Sequence, residues 1–448
     1  MKKHIPAHNS TFSPALLVYN IGLYIFLTAA LPYFLIKIAT TKKYRAGIFY
    51  RLGFLPAHKR TLLGKGRHIW FHAVSVGEVN AAIPLLEKLK TEFPDNKILL
   101  STTTLTGQEI AQKWAGNDPG ITVIYFPLDF YHIFSALFSH CTVELIVIME
   151  TEIWPNFLLA AHRYKIPVIL VNGRISEKSF NGYNKVRKLF LKSVRPITTF
   201  CMQTEEDAEK LRQLGIDKSR IFRTGNLKFE ASLTVPINKE IGLSIINALS
   251  WKDSEPIWVV GSTHRGEEEL ICDIYLELKK RFTNLKMIIA PRHPERIGEV
   301  SLIMQNLNIP FVKKTEIDSK QYSAAPCFDV VLLDTMGELR HIYSIATIVF
   351  IGKSLVPGGG QNILEPASLG KPVLFGQYMD NFADITRRFL ASDAGIMAKD
   401  QTELKYHLLS LLDNDELRVK LGASALKIVQ QHQGATTSIL SHIKKSIQ

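Results

Sequence analysis

Past residue 66 the chain alternates short, unbroken apolar runs with longer stretches whose apolar positions recur every three or four residues. "HIWFHAV", "KILLSTT", "TVIYFP", "VELIVIM", "PVILVN" and "TTFCMQ" read as strands, and "EVNAAIPLLEKLKTEF" as an amphipathic helix between them. Strands apolar on both faces leave no side for water, so they belong to a parallel sheet covered by helices. The pattern lapses around residues 231–256, through "ASLTVPINKE" and "WKDSEP", then resumes with "IWVVG", "LKMIIA", "DVVLLD", "TIVFIG" and "PVLFG". Helical stretches such as "DELRVKLGASALKIVQQHQ" fall in this second series too. The predicted architecture is α/β, with two doubly wound, Rossmann-like domains facing each other across a cleft. Their expected extents are residues 46–230 and 231–448, after an N-terminal segment 1–45.

That segment carries a different pattern. Between Ser13 and Ile36 runs "SPALLVYNIGLYIFLTAALPYFLI", an uncharged stretch long enough to cross the ~30 Å hydrocarbon layer as a helix. A signal peptide fits less well, because the apolar region is long and Lys37 stands where a small-residue cleavage site would be. A buried core helix is the remaining alternative to a membrane anchor. Five positive charges follow the segment within 37–51 and two precede it, which places everything downstream in the cytoplasm.

Charge and composition sharpen this picture. Residues 1–77 hold eleven Lys and Arg (Lys2, Lys3, Lys37, Lys42, Lys43, Arg45, Arg51, Lys59, Arg60, Lys65 and Arg67) and no Asp or Glu. The net charge is +13, so the other 371 residues are close to neutral. A basic groove for nucleic acid is disfavoured. A basic collar facing anionic headgroups is expected, each charge near the surface adding about 1 kcal/mol of attraction. At 448 residues the chain exceeds what one core serves. Cys141, Cys201, Cys272 and Cys327 form no CxxC pair, which suggests neither a disulfide framework nor a thiolate metal site and fits a reducing compartment.

Ligands of doubly wound sheets sit beyond the carboxyl ends of the strands, so chemistry is sought there. In "HAVSVGEV" Glu78, the first acidic residue of the chain, follows a strand and a Ser-Val-Gly turn. It is either a carboxylate satisfying the first amides of its own helix or a general base, with Gly77 admitting a substrate and Ser75 bonding in the turn. "ETEIWPN" places Glu150 and Glu152 at another strand end, as a structural pair or an acid/base pair, with no histidine at metal-ligand spacing. Lys228 in "TGNLKFE" is either a solvated surface group or a point charge for an anionic ligand.

The second half offers elements suited to phosphate. Gly261, Ser262 and Thr263 in "GSTHRGEEE" end a strand near a helix entry, as an N-cap or an anion site. Arg292 and His293 in "APRHPER" follow a strand, and Arg292 between two prolines suits a phosphate clamp. "DTMGEL" and "PGGGQNILEPA" follow two more strands. Three glycines permit close backbone approach, and Glu365, one turn into a helix, suits hydrogen bonds from ribose hydroxyls. GxxxxGK[ST], GxGxxG after a first strand and GxSxG are all absent, which disfavours a P-loop triphosphatase, a dinucleotide dehydrogenase and an α/β-hydrolase.

Taken together, "HAVSVGEV", "METEIWPN", "NGRIS", "GNLKFE", "GSTHRGEE", "APRHPER", "DTMGEL" and "GGGQNILEPA" resemble, in order, the motifs of the 3-deoxy-D-manno-octulosonic acid (Kdo) transferases of lipopolysaccharide assembly. The resemblance spans roughly residues 68–367 and implies a GT-B fold. It implies inverting transfer of Kdo from CMP-Kdo to a lipid A precursor, lipid IVA, at the cytoplasmic face of the bacterial inner membrane. By matching motifs Glu78 resembles the general base, and Glu150 and Lys228 the groups assigned to transition-state stabilisation. Pro291, Arg292, Met336, Gly337, Glu338, Asn362, Ile363, Leu364 and Glu365 resemble the CMP-binding elements. No cofactor or catalytic metal is implied. The chain departs from the family at Gln361, where histidine is common, at Lys353, often glycine, and at Glu230, usually Asp. The rival readings are another GT-B transferase using a UDP-sugar, separated by cytidine against uridine nucleotide binding, and a non-catalytic, membrane-tethered nucleotide-binding scaffold.

Overall fold

A computed structural model describes residues 14–41, 45, 47–234, 236–320 and 328–447. Lys2, Lys3, Lys42, Lys43 and Cys327 lie outside the described residues. The chain divides into two compact units, Met1–Ala231 with Gln433–Gln448, and Ser232–His432.

The first unit holds a seven-stranded sheet: β1 (Arg67–His72), β2 (Asn96–Thr102), β3 (Ile121–Tyr125), β4 (Thr142–Met149), β5 (Val168–Gly173), β6 (Ile197–Met202) and β7 (Ile221–Arg223). The strands are ordered β3-β2-β1-β4-β5-β6-β7 and every pairing is parallel. All five residues of β3, and all but the first of β1, are buried, as a sheet covered on both faces requires. On one face Trp70 packs among Phe126, Phe134, Phe138 and Phe157, with ring centroids 5.1–6.4 Å away.

The second unit repeats the plan with β8 (Ile257–Thr263), β9 (Lys286–Pro291), β10 (Phe311–Lys313), β11 (Val330–Leu332), β12 (Ile348–Ile351), β13 (Val373–Gly376) and β14 (Ile396–Ala398), ordered β10-β11-β9-β8-β12-β13-β14. The strand pattern along the sequence picks out eleven of these fourteen strands. The other three, β7, β10 and β14, are three-residue edge strands without a clear apolar run, whereas β11, equally short, lies inside the sheet and has one.

Two expectations are corrected. The last helix, Ala435–Ile447, belongs to the first unit, not the second: Ala435, Ile439, Leu440 and Ile443 are buried in one cluster with Ala81, Leu85 and Leu227. The helix begins where Glu230 Oε2 accepts the Thr436 amide at 2.6 Å. The basic collar is also not wholly turned outward. Arg51 is half-buried and donates to the Thr103 carbonyl, with its guanidinium over the Tyr125 ring. Lys59 donates to the Val123 carbonyl, and Arg67 pairs with Glu144 at 3.2 Å. Burial lowers the pKa of Arg51 and of Lys59, since it penalises their charged forms.

Among the described residues the N-terminal segment holds the helix Pro14–Thr40, with Pro32 inside it, and Leu16–Lys37 is long and apolar enough to cross a membrane by length and composition.

Candidate active site

In the first unit the predicted residues gather where the strand order reverses. β1 and β4 are neighbours, with His72 opposite Ile148, so the chain leaving each reaches the same sheet edge. Ser75 stands at the N-cap position of the helix Val76–Glu92 without bonding its amides, and Glu78 lies in the first turn. Glu78 is 8% exposed, and it accepts hydrogen bonds from the Val74 amide at 2.9 Å and from Ser75 Oγ at 3.1 Å. It therefore ties back to the turn ahead of its helix rather than to the first amides of the helix itself. Burial nevertheless pushes its pKa up to about 7, with the charge of Glu150 the next cause and Glu152 adding to it, against the opposing Val74 and Ser75 hydrogen bonds. A carboxylate held at that value exchanges protons near neutrality.

Glu150 follows β4 directly, at φ 54°. Left-handed backbone costs a non-glycine residue roughly 1–2 kcal/mol. Nine non-glycine residues adopt it among those described. Lys165, Ser250, Asn308, Lys320 and Asp393 do so just past helix ends, where such a turn is ordinary. The other four, Glu150, Asn172, Ser262 and Lys353, stand at the carboxyl ends of β4, β5, β8 and β12. The strain is thus concentrated where the candidate chemistry lies.

Lys228 Nζ sits 3.0 Å from Glu150 Oε1. Its helix, Leu227–Thr234, is set by three buried amide side chains that the strand pattern does not single out. Asn172 Oδ1 accepts the Leu227 amide at 3.0 Å, and Asn226 Oδ1 accepts the Lys228 amide at 2.9 Å. Gln203 accepts from Asn226 Nδ2 and donates to the Asn172 carbonyl, both at 2.9 Å. Glu152 is held by Trp154 Nε1 at 2.9 Å, and burial raises its pKa, with the Glu150 charge adding to the effect.

In the second unit the candidate residues follow β11, β9, β8 and β12, four contiguous strands. Pro291 ends β9, and the Arg292 amide donates to the Thr263 carbonyl at 3.0 Å. Gly337 takes φ 85° and Met336 is 67% exposed. Glu338 accepts from Thr335 Oγ1 at 2.5 Å and starts the helix Leu339–Ile342. Asn362 joins the Leu364 amide and Glu365 Oε1, both at 3.1 Å. Burial raises the Glu365 pKa, opposed by Arg340, by Asn362 and by Arg292, so Arg292 and Glu365 face one another electrostatically. Ile363 and Leu364 are fully buried, backbone included, so they support the loop rather than line an open surface.

The glycines serve the protein itself first. Gly359 and Gly360 have φ 87° and 74°, and a methyl at Gly360 would lie 2.3 Å from Met379 Sδ. Gly261 sits where its own methyl would lie 2.1 Å from Tyr343 Oη. The strand continues to Thr263, so Gly261–Thr263 are not the helix entry; that is Glu267, ahead of Glu268–Lys279. Glu267, fully buried, accepts the amides of His264, Lys353, Ser354 and Leu355 at 2.6–2.9 Å, tying the turn after β8 to the loop after β12. The sequence signal for it is slight: the first of three consecutive glutamates at a helix start.

Among the described residues no three His, Cys, Asp or Glu converge in a way that would hold a metal ion.

Comparison with known proteins bears on the family and the fold. A family model described as 3-deoxy-D-manno-octulosonic-acid transferase (kdotransferase) matches residues 46–231. The 3-deoxy-D-manno-octulosonic acid transferase of Haemophilus influenzae is 30% identical over 404 residues, covering 90% of this chain and 92% of that one. A bifunctional glycosyltransferase/methyltransferase of Fusobacterium nucleatum is 36% identical over 338 residues, covering 75% of this chain; the chain spans about half, 51%, of that protein's length. The solved UDP-GlcNAc 2-epimerase of Neisseria meningitidis, 14% identical, superposes with a TM-score of 0.55 over 84% of this chain and 100% of its own. That likeness is one of fold, the GT-B type with two Rossmann-like units. With the match to the Haemophilus protein running through both units, the chain belongs to the 3-deoxy-D-manno-octulosonic acid transferase family of glycosyltransferases.

Proposed function

We propose that the protein transfers Kdo from CMP-Kdo to a lipid A precursor, lipid IVA, with inversion at the anomeric carbon, at the cytoplasmic face of the inner membrane. The observation that carries this reading is the Glu78 carboxyl, raised to about 7 beside Glu150 and Lys228 at the edge of the first sheet. An uncharged hydroxyl is a weak nucleophile. Glu78 takes its proton as the acceptor oxygen bonds to the anomeric carbon, and the bond from that carbon to the CMP phosphate oxygen breaks with its electron pair leaving on CMP. Lys228 supplies positive charge as negative charge develops, and Glu150 holds Lys228 in place.

The donor set lies in the second unit. Arg292 takes the phosphate, Glu365 the ribose hydroxyls, and Pro291, Met336, Gly337, Glu338 and Asn362 shape the nucleotide site, with Ile363 and Leu364 holding Asn362 and Glu365 in place from the core. The reaction needs no cofactor and no metal at the bond being broken. A chelator is accordingly expected to leave the rate unchanged.

The test is incubation of purified protein with CMP-Kdo and tetraacylated lipid A precursor, read by product mass. Wild type adds Kdo, and Glu78→Gln, folded by circular dichroism, adds none. Turnover of a UDP-sugar instead, or full activity in Glu78→Gln, overturns the proposal.

A further inference from the structure

The apolar N-terminal helix makes polar contacts, near its start, with the folded body of the first unit. Tyr19 Oη donates to Asp129 Oδ2 at 2.9 Å, and Asn156 Nδ2 donates to Asn20 Oδ1 at 2.7 Å. Asp129 itself is buried and accepts the amides of Asn156 and Phe157 at 3.0 and 2.8 Å, capping the helix that follows the Glu150–Glu152 turn. Tyr19 and Asn20 are thus fastened to the folded body of the first unit.

The contact extends along the helix. Among the described residues Leu16, Tyr19, Asn20, Leu23, Leu27, Ala30, Phe34 and Lys37, a stripe with helical spacing, are its sheltered positions, and Leu23 and Leu27 pack against the core. The opposite side is exposed and apolar, with Val18, Ile25, Phe26, Tyr33 and Ile36 each more than half exposed. From Asn20 to Lys37 the helix runs roughly 25 Å. Were it to cross a bilayer with Lys37 at the near interface, Asn20 would lie close to the far one, beyond the reach of Asn156 in the folded unit.

We infer that this helix lies in the plane of one leaflet, docked along the first unit, with its outward face and the exposed Phe49, Leu52 and Phe54 forming one surface inserted into an anionic bilayer. The partner follows from charge and apolarity together. Residues 1–77 hold no acidic side chain; of their eleven basic ones Arg51, Lys59 and Arg67 are engaged within the fold, which leaves the others for lipid phosphates, and Phe49 and Phe54 are 68% and 64% exposed. Such a surface meets acyl chains at its centre and lipid phosphates at its rim. The choice of a membrane as partner rests on the proposed function; the docking geometry does not.

Two measurements test the inference on the full-length protein with Cys327→Ser as background. The first follows a membrane-impermeant maleimide and Ser10→Cys: no labelling in intact spheroplasts, and labelling after lysis, is expected. The second places spin labels at Val18→Cys, Ile25→Cys and Ile36→Cys in vesicles containing anionic lipid, and compares their accessibility to oxygen and to a polar nickel complex. Equal depths are expected. Labelling of Ser10→Cys from outside, or a deep Ile25 flanked by shallow Val18 and Ile36, overturns the inference. Kdo transfer assayed on the same variants keeps the two readings apart, since an in-plane depth profile without transfer counts only against the proposed function.

Discussion

Lys228 Nζ and Glu150 Oε1 lie 3.0 Å apart, and Glu150 in turn is the charged group that most raises the pKa of Glu78. The three side chains form a graded set in which the lysine tempers the field that one carboxylate imposes on the other. The two partners are therefore expected to act on Glu78, the proposed base, in opposite directions. Glu150→Gln removes a negative charge and moves the acidic limb of kcat/KM down from about 7, part of the way to 4.5, because burial remains. Lys228→Met leaves Glu150 unneutralised and moves it up. The pH–rate profile measures both, and carboxyl NMR of Glu78 reads the same shifts where residual rates are low. Limbs that do not move, or move together, contradict this arrangement.

The same group makes stability and activity run oppositely with pH. A carboxyl whose folded pKa is raised binds its proton between about 4.5 and about 7 while the unfolded chain has released it. Across that window the contribution of Glu78 to stability falls as pH rises, and it is constant on either side. Activity rises over the upper end of the same range. Denaturant midpoints of wild type and Glu78→Gln between pH 4.5 and 8 check the sign: the difference between them grows in favour of Gln as pH rises.

Gly77 separates folding from substrate access. It lies in the first turn of the Val76–Glu92 helix, and a methyl built there meets nothing within 4 Å. Gly77→Ala is expected to raise stability by about 0.4–1 kcal/mol through the unfolded chain. If the open space is for the acceptor, as the position next to Glu78 suggests, the same variant raises KM for the lipid. Calorimetry and steady-state kinetics on one preparation measure both.

The parts legible in the sequence are those that local pattern determines. Long buried strands announce themselves as apolar runs, so β1, β4, β8 and β12, which carry the candidate chemistry, were all predicted, and Glu78 and Glu150 stand at strand ends as expected. What escaped is non-local. The edge strands depend on a neighbour for pairing, and the last helix packs on a unit finished some two hundred residues earlier. Asn172, Gln203 and Asn226 are ordinary turn residues until folding joins them. The inward use of Arg51 and Lys59 was hidden because a positive charge in sequence does not reveal whether a carbonyl or a phosphate will receive it.

Glu267 is expected to matter more than any predicted residue for the integrity of the second unit. Its carboxylate takes four backbone amides inside the fold, and removing an acceptor leaves each buried donor unsatisfied at roughly 1–3 kcal/mol. Glu267→Ala should cost at least ~3 kcal/mol and loosen the loop that leads into Gly358–Glu365. Glu267→Gln, which keeps an acceptor but loses the charge, should lie between. Denaturant unfolding gives the cost, and CMP titration gives the accompanying loss of affinity; a variant with wild-type stability shows the amides to be satisfied otherwise.

The C-terminal helix supplies a last prediction, about which unit the chain's end supports. Ile439 is fully buried in a cluster with Leu227, the residue next to Lys228, and Glu230 from the same helix caps Thr436. Ile439→Ala removes buried apolar volume and should cost about 2–5 kcal/mol. The loss falls on the first unit. Amide exchange should therefore quicken in β1, β4 and the helix Leu227–Thr234 while the strands of the second unit keep their protection. Kdo transfer should fall through kcat, as Lys228 loses its fixed position, and CMP affinity should hold. Faster exchange confined to Ser232–His432 would instead return this helix to the second unit.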